Sequence, residues 1–182
     1  MSKIWFTADT HFMHANVIKY CKRPFASADD MDAHMIEAWN AVVGKNDLVF
    51  HLGDFAISRD PRTVRRIFSQ LNGSKHLTPG NHDAAATLAL PWAKTDQIQF
   101  KTVDGLQIVM SHYAMRVWPG QHYGAIQLYG HSHGNLAATR NSIDVGVDCW
   151  GFAPVSIEDI RLRLVEAAEP AIEEPRGGLT VR

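Results

Sequence analysis

An α/β fold with mixed strands follows from three features of the sequence. Short runs of β-branched and aromatic residues, such as Ile4 to Thr7 and Ile126 to Tyr129, alternate with segments whose apolar residues recur at helical spacing. Asp104-Gly105 between two strand-like arms adds a hairpin. A length of 182 residues, 46% hydrophobic and 20% charged, suits one domain with a real core and excludes a wholly disordered chain.

Taken in order, Ile4 to Thr7 is a short strand that ends in the polar Asp9-Thr10-His11. His14 to Lys22 reads as a short helix, with Lys19, Lys22 and Arg23 either on its solvated face or on a phosphate-facing rim. Residues 29 to 43 form a longer helix, with Met31, Met35, Ala38, Trp39 and Val42 as its core stripe and Gly44 as its stop. Asp47 to Leu52 is a buried strand running into Gly53-Asp54. Asp60-Pro61 opens the next helix as N-cap and first turn; Val64, Ile67, Phe68 and Leu71 face inward, Arg62, Arg65 and Arg66 face solvent, and Asn72-Gly73 ends it.

Lys75 to Thr78 is a third strand, and it delivers Pro79-Gly80-Asn81-His82-Asp83. Pro91 limits Ala84 to Ala93 to a short helix and loop. The hairpin arms, Gln97 to Val103 and Leu106 to Met110, lead to Ser111-His112, and residues 113 to 124 form an irregular loop over the site. Ile126 to Tyr129 closes in Gly130-His131-Ser132-His133, and Ser142 to Val147 alternates as a strand with Asp148 at its end. Ser156 to Asp159 starts a helix, or a last strand leading into Arg161 to Val165. The domain is expected to span 1–166, with 167–182, rich in Pro, Glu, Gly and Arg, a disordered tail.

Composition narrows the class of partner. A formal net charge of −1 gives no overall attraction to nucleic acid or an anionic membrane. No apolar run is long enough to span a bilayer, and polar residues begin by Asp9, so a cytoplasmic protein is expected. Cys21 and Cys149 stand far apart without a CxxC, which supports neither a disulfide framework nor thiolate zinc.

Five polar clusters follow strand-like runs: Asp9/His11, Asp54, Asn81/His82, His112 and His131/His133. Residues two apart in an extended segment point to one side, so each Asp-x-His or His-x-His pair can reach one ion. In open α/β sheets, loops beyond the carboxyl ends of strands converge on one crevice. Leaving His82 aside, the inventory is four imidazoles, two carboxylates and one amide oxygen, a hard-to-borderline set suited to two divalent first-row ions sharing a carboxylate.

These motifs (D-x-H, G-D, G-N-H-D, a lone H and G-H-x-H, in that order over residues 9–133) resemble the calcineurin-like metallophosphoesterase superfamily. The stretch Asp9 to Asn16 looks most like its small bacterial and phage-type members. The resemblance implies a four-layer α/β/β/α sandwich of two mixed sheets, with the metal site at the strand C-terminal ends. It implies that Asp9, His11 and His133 hold one metal, that Asn81, His112 and His131 hold the other, and that Asp54 bridges them. His82 matches the family's general acid. The implied activity is hydrolysis of phosphoester bonds by a metal-bridging hydroxide.

A phosphodiester is favoured over a phosphomonoester because the chain has little room for an added lid. Phosphomonoesterase, nuclease and non-catalytic metal-binding scaffold are the alternatives, in that order. The expected substrate is a phosphorylated small molecule or nucleotide, with nucleic acid not favoured and no membrane. Mn2+ is the first choice of ion, with Fe2+/Fe3+, Zn2+, Ni2+ and Co2+ also accepted by such ligands. His14, Asn16 and Arg23 are candidates for contact with substrate phosphate; helix capping by Asn16 or simple packing of His14 is the other reading. Many relatives carry a second acid as G-D-x-x-D, but Ile57 stands at that place here.

Overall fold

The structure, a computed structural model, describes residues 2–58, 60–168 and 170. The first sheet contains β1 (Ile4–Thr7), β2 (Leu48–His51), β3 (Ser74–Leu77), β4 (Lys94–Thr95) and β9 (Val155–Ser156) in the order β4-β3-β2-β1-β9. The second contains β5 (Ile98–Val103), β6 (Leu106–Ser111), β7 (Ile126–Tyr129) and β8 (Ser142–Asp144) in the order β5-β6-β7-β8. Both are mixed: β1 to β4 run parallel with β9 antiparallel, and β6 to β8 run parallel with β5 antiparallel.

Strand alternation divides the core. Trp5 and Val49 point to a cluster with Met31, Met35 and Trp39 of α2 (Ala28–Val42) and Val64, Ile67 and Phe68 of α3 (Pro61–Gln70). Phe6 and Phe50 point the other way, against Ile108, Met110, Leu128 and Ile143 of the second sheet. The helix α5 (Ile157–Glu166) sends Ile157, Ile160 and Leu164 into that same cluster. On the outer face of the second sheet, Val109 packs under Trp118 and Ala125 of the 113–125 segment.

Several boundaries differ from the sequence reading. Val42 is exposed and Val43 is buried, so the α2 stripe runs Met31, Met35, Trp39, Val43, a strict four-residue step. The strand expected over 142–147 ends at Asp144, and Asp148 lies in a one-turn 3-10 segment, Val147–Cys149. Near Ser156 the helix start is the alternative realised: Ser156 caps α5, accepting from the Asp159 amide, and the strand is confined to Val155–Ser156 before it. The remaining helices, α1 (Ala15–Tyr20) and α4 (Ala85–Leu88), are short as expected. Apart from residues 167, 168 and 170, the expected tail lies outside the described residues. Among the described residues no helix is long and apolar enough to cross a membrane.

Candidate metal centre

The carboxyl ends of β1, β2, β3, β6 and β7 all deliver polar loops to one place. The loop after β1 is pinned to the loop after β2 by Asp9 N–H to Gly53 O and His11 N–H to Asp54 O, both 2.9 Å. Gly130 N–H donates to His112 O at 3.0 Å, joining the loops after β6 and β7, and the two sheets meet there as well, since Val147 N–H donates to Ala8 O at 3.0 Å. Five candidate ligands carry positive φ: Asp9 56°, His11 48°, Asp54 58°, His131 66° and His133 46°. Non-glycine residues seldom adopt this left-handed region, and a surrounding structure that enforces it marks functional sites. Two glycines let the loops close in. A Cβ on Gly53 would stand 2.6 Å from His112 Nδ1, and one on Gly130 would stand 2.9 Å from Asp9 Oδ2.

Two groups of three side chains bring ligand atoms within 4.8 Å of one another: Asp9, His11 and His133, and Asp54, His112 and His131. Asp54 lies between them, with Oδ2 3.5 Å from His11 Nε2 and 3.6 Å from His112 Nε2. Its other oxygen accepts from His82 N–H at 2.8 Å, and Asp9 Oδ2 likewise accepts from His131 N–H at 2.8 Å. Each carboxylate therefore spends one oxygen on the backbone and keeps the other facing the group. Asn81 Oδ1 stands 3.1 Å from His112 Nε2, on the second group's side. The floor, formed by Asp9, His11, Asp54 and His112, is buried, whereas Asn81, His82 and His131 are exposed.

The donor chemistry fits divalent cations. Asp9 Oδ1 and both ring nitrogens of His11 are buried without a hydrogen-bond partner, a costly state that ligation would relieve. Burial first, then the neighbouring Asp144, pushes the Asp9 carboxyl well above its usual range. Burial, then the nearby His133, brings the His11 imidazole down to about 2, so that it stays neutral and keeps its lone pair. Hydrogen bonds orient the other rings: His112 Nδ1 donates to Leu52 O and His133 Nδ1 to Asp148 Oδ2, both at 2.7 Å, which leaves Nε2 of each as the free donor atom. A third group, Cys21, His133 and Asp148, is spoken for differently, because Arg23 already occupies both Asp148 oxygens.

Asp83 supports the loops, its carboxylate accepting from the amides of Asp54 (2.9 Å), Phe55 (2.8 Å) and Gly80 (2.9 Å). The His82 and His14 rings flank His11, each with its centroid 5.4 Å from that of His11. His14 occupies the cap position of α1 without a side-chain cap bond, and Asn16 is exposed in the first turn. Arg23 corrects the sequence reading. It is 4% exposed, and its guanidinium is bound to Asp148 and to the carbonyls of Asp9 and Thr10, so it has no face toward a substrate. The loop over 113–124 reaches the site through Tyr113, whose ring packs edge-on against His112 and His131 and whose hydroxyl donates to Asn81 Oδ1 at 3.3 Å. Trp118 further along turns away into the outer cluster.

Sequence reasoning gave no role to His51, Asp144 and Asp148. His51 is fully buried, with Nε2 3.0 Å from Thr10 Oγ1 and Nδ1 accepting from Gly53 N–H at 3.2 Å. Asp144 accepts from the amides of Gly134 and Gly146. Their only signal in the sequence is a polar residue at or just beyond a strand end.

A two-sheet α/β sandwich with a carboxylate- and imidazole-lined cation centre at its strand ends is the architecture of a metal-dependent hydrolase. The chain belongs to the calcineurin-like phosphoesterase family, whose model matches residues 2–136. It is 32% identical over 174 residues to the uncharacterized protein MJ1445 of Methanocaldococcus jannaschii, across 91% of this chain and 93% of that protein. It is 27% identical over 182 residues to the gene 66 protein of Mycobacterium phage D29, across 82% of this chain and 90% of that one. A solved protein of unknown function from Aquifex aeolicus, AQ665, superposes with a TM-score of 0.71 at 21% identity, over 90% of this chain and 100% of that chain, and bears on the fold. The protein is a phosphoric ester hydrolase of a family that implies divalent metal ions.

Proposed function

We propose that the protein is a two-metal phosphodiesterase. One observation carries the reading: a single Asp54 oxygen stands 3.5 Å from His11 Nε2 and 3.6 Å from His112 Nε2, between the two groups of ligand atoms. In this reading Asp9, His11 and His133 hold one cation, Asn81, His112 and His131 the other, and Asp54 both. Such a pair supplies a water of lowered pKa and polarises the phosphoryl oxygens. Manganese is the first choice, because the donors are nitrogen and oxygen without a thiolate.

The remaining roles belong to the chain's own residues. His82 is exposed at the mouth, its backbone fixed by Asp54 Oδ1, and its ring protonates the departing oxygen. The cleft of about 380 Å3 beside it is lined by Ile57, Ser58, Asn81, His82, Asp83 and Ala84, with no lysine or arginine among these residues. A diester carries a second organic group, for which this cleft, apolar at Ile57 and Ala84, offers a place, whereas a monoester has no second group to put there. That contrast favours the diester. Ile57 leaves the His82 ring without the carboxylate partner many relatives have, which favours alcohols that leave readily.

The test is release of p-nitrophenol from the bis-diester and from the monoester after manganese loading. We expect diester turnover to dominate, to fall by about 10³-fold or more in Asp54→Ala, and to fall by only about 10²-fold in His82→Ala. Dominant monoester turnover would make the protein a phosphatase instead. No turnover of either ester by a chain that binds two manganese ions would overturn the reading of an unselective hydrolase.

A further inference from the structure

The buried guanidinium of Arg23 bonds to the carbonyls of Asp9 and Thr10 and reaches His133 through Asp148. Lys22, at a φ of 53°, turns the chain after α1, and Arg23 N–H then donates to Ile18 O, directing the side chain inward. Nε and Nη2 grip the two oxygens of Asp148 at 2.7 and 2.8 Å. Nη2 also donates to Asp9 O at 2.7 Å, while Nη1 donates to Thr10 O at 3.1 Å and to Met31 Sδ at 3.4 Å. The same Asp148 Oδ2 accepts from His133 Nδ1 at 2.7 Å.

One planar group thus fixes the peptides on both sides of Thr10, between two residues in the left-handed region, and sets the ring of His133 through Asp148. Asp9, His11 and His133 are the three members of the first group. The side chains of Asp54 and His112, of the second, are oriented by His82 N–H and Leu52 O, and the Asp54 backbone by the Asp83 carboxylate, none of them an Arg23 contact. The Asp148 carboxylate is ion-paired with Arg23 at 2.7 Å and sits against His133 Nδ1. An anionic partner keeps the proton on Nδ1 and raises the basicity of Nε2.

The geometry points to Arg23 as a positioning residue, acting with Asp148, for the first of the two cation positions alone. This rests on the two-cation reading above. Lysine cannot replace it, because one ammonium nitrogen cannot span a bidentate carboxylate and two carbonyls at once. A residue that merely balanced a buried charge would affect folding and both cation positions alike. A positioning residue for one position changes its occupancy selectively.

The experiment is equilibrium dialysis against manganese with elemental analysis, alongside circular dichroism, on wild type, Arg23→Lys and Asp148→Asn. Wild type is expected to bind two ions per chain. Arg23→Lys is expected to keep one at unchanged affinity and to bind the second about 10- to 100-fold more weakly. Combined with His112→Ala, which removes a ligand of the other position, it should retain no tight ion. Methylguanidinium added to Arg23→Ala should restore the second ion. Two ions bound at wild-type affinity by Arg23→Lys would overturn the inference; if that variant does not fold, the same result with Asp148→Asn would. Fewer than two ions in wild type would instead sink the two-cation reading.

Discussion

His51 shows how one buried residue sets a pH limit on the metal-free protein. Its ring bridges the loops bearing Asp9, His11 and Asp54, by way of Thr10 and Gly53, and no solvent reaches it. Burial first, then the nearby His112, brings it down to about 3, against an unfolded value near 6.5. Between these values the unfolded chain binds the extra proton. Stability is therefore full above about pH 6.5 and declines as pH falls toward 3, by up to about 1.4 kcal/mol per pH unit for this group. His51→Gln should flatten that slope in urea unfolding of the metal-free protein between pH 6 and 4; an unchanged slope would remove His51 as its source. Asp32 acts in the opposite sense. Burial raises it to about 6 while its oxygens accept from Met13 N–H, so its contribution is present at low pH and lost as pH rises through 6. Asp32→Asn should accordingly make the acid-side decline steeper.

At the scale of elements, helical periodicity carried most of the information. The stripe of α2 was readable as Met31, Met35 and Trp39, but its last member was not. A heptad-like count puts Val42 next after Trp39, whereas the end of the helix turns Val43 inward, where it is 1% exposed against 36% for Val42. Val43→Ala should cost about 1.5–3 kcal/mol and Val42→Ala less than about 0.5 kcal/mol, measured by chemical unfolding. Equal losses would contradict the packing. Ser27 accepts from Asp30 N–H and Ser156 from Asp159 N–H, both residues being followed by acids in the first turn. The candidate ligands were legible for a different reason: each sits within a few residues of a strand end, so local order in the sequence carries it. The groups that hold them were not legible, since Arg23 and Asp148 meet across 125 residues and no local pattern encodes a contact of that range.

Over the whole molecule, the centre joins two sheets that otherwise pack mainly through apolar side chains, and it concentrates charge at the join. Asp9 is 0% exposed, with Asp144, Asp54 and Asp148 as neighbouring acids and only one of its oxygens satisfied by a backbone donor. A bound cation would neutralise this cluster, so the arrangement is unfavourable to the metal-free fold and favourable to the loaded one. Ligand linkage gives the scale: an ion at 100 times its dissociation constant adds about 2.7 kcal/mol. In a domain of this size that is a rise of roughly 5–10 °C in melting temperature. Asp9→Asn separates the two states. The amide keeps an oxygen for His131 N–H but removes the buried charge, so at pH 8 the metal-free variant should be more stable than metal-free wild type by about 1–3 kcal/mol. Added manganese should then raise wild type above the variant, which has lost the Asp9 carboxylate as a candidate ligand. A variant less stable than wild type without metal would show that the Asp9 charge is already compensated within the fold, and would place the gain on loading elsewhere than in relief of that charge.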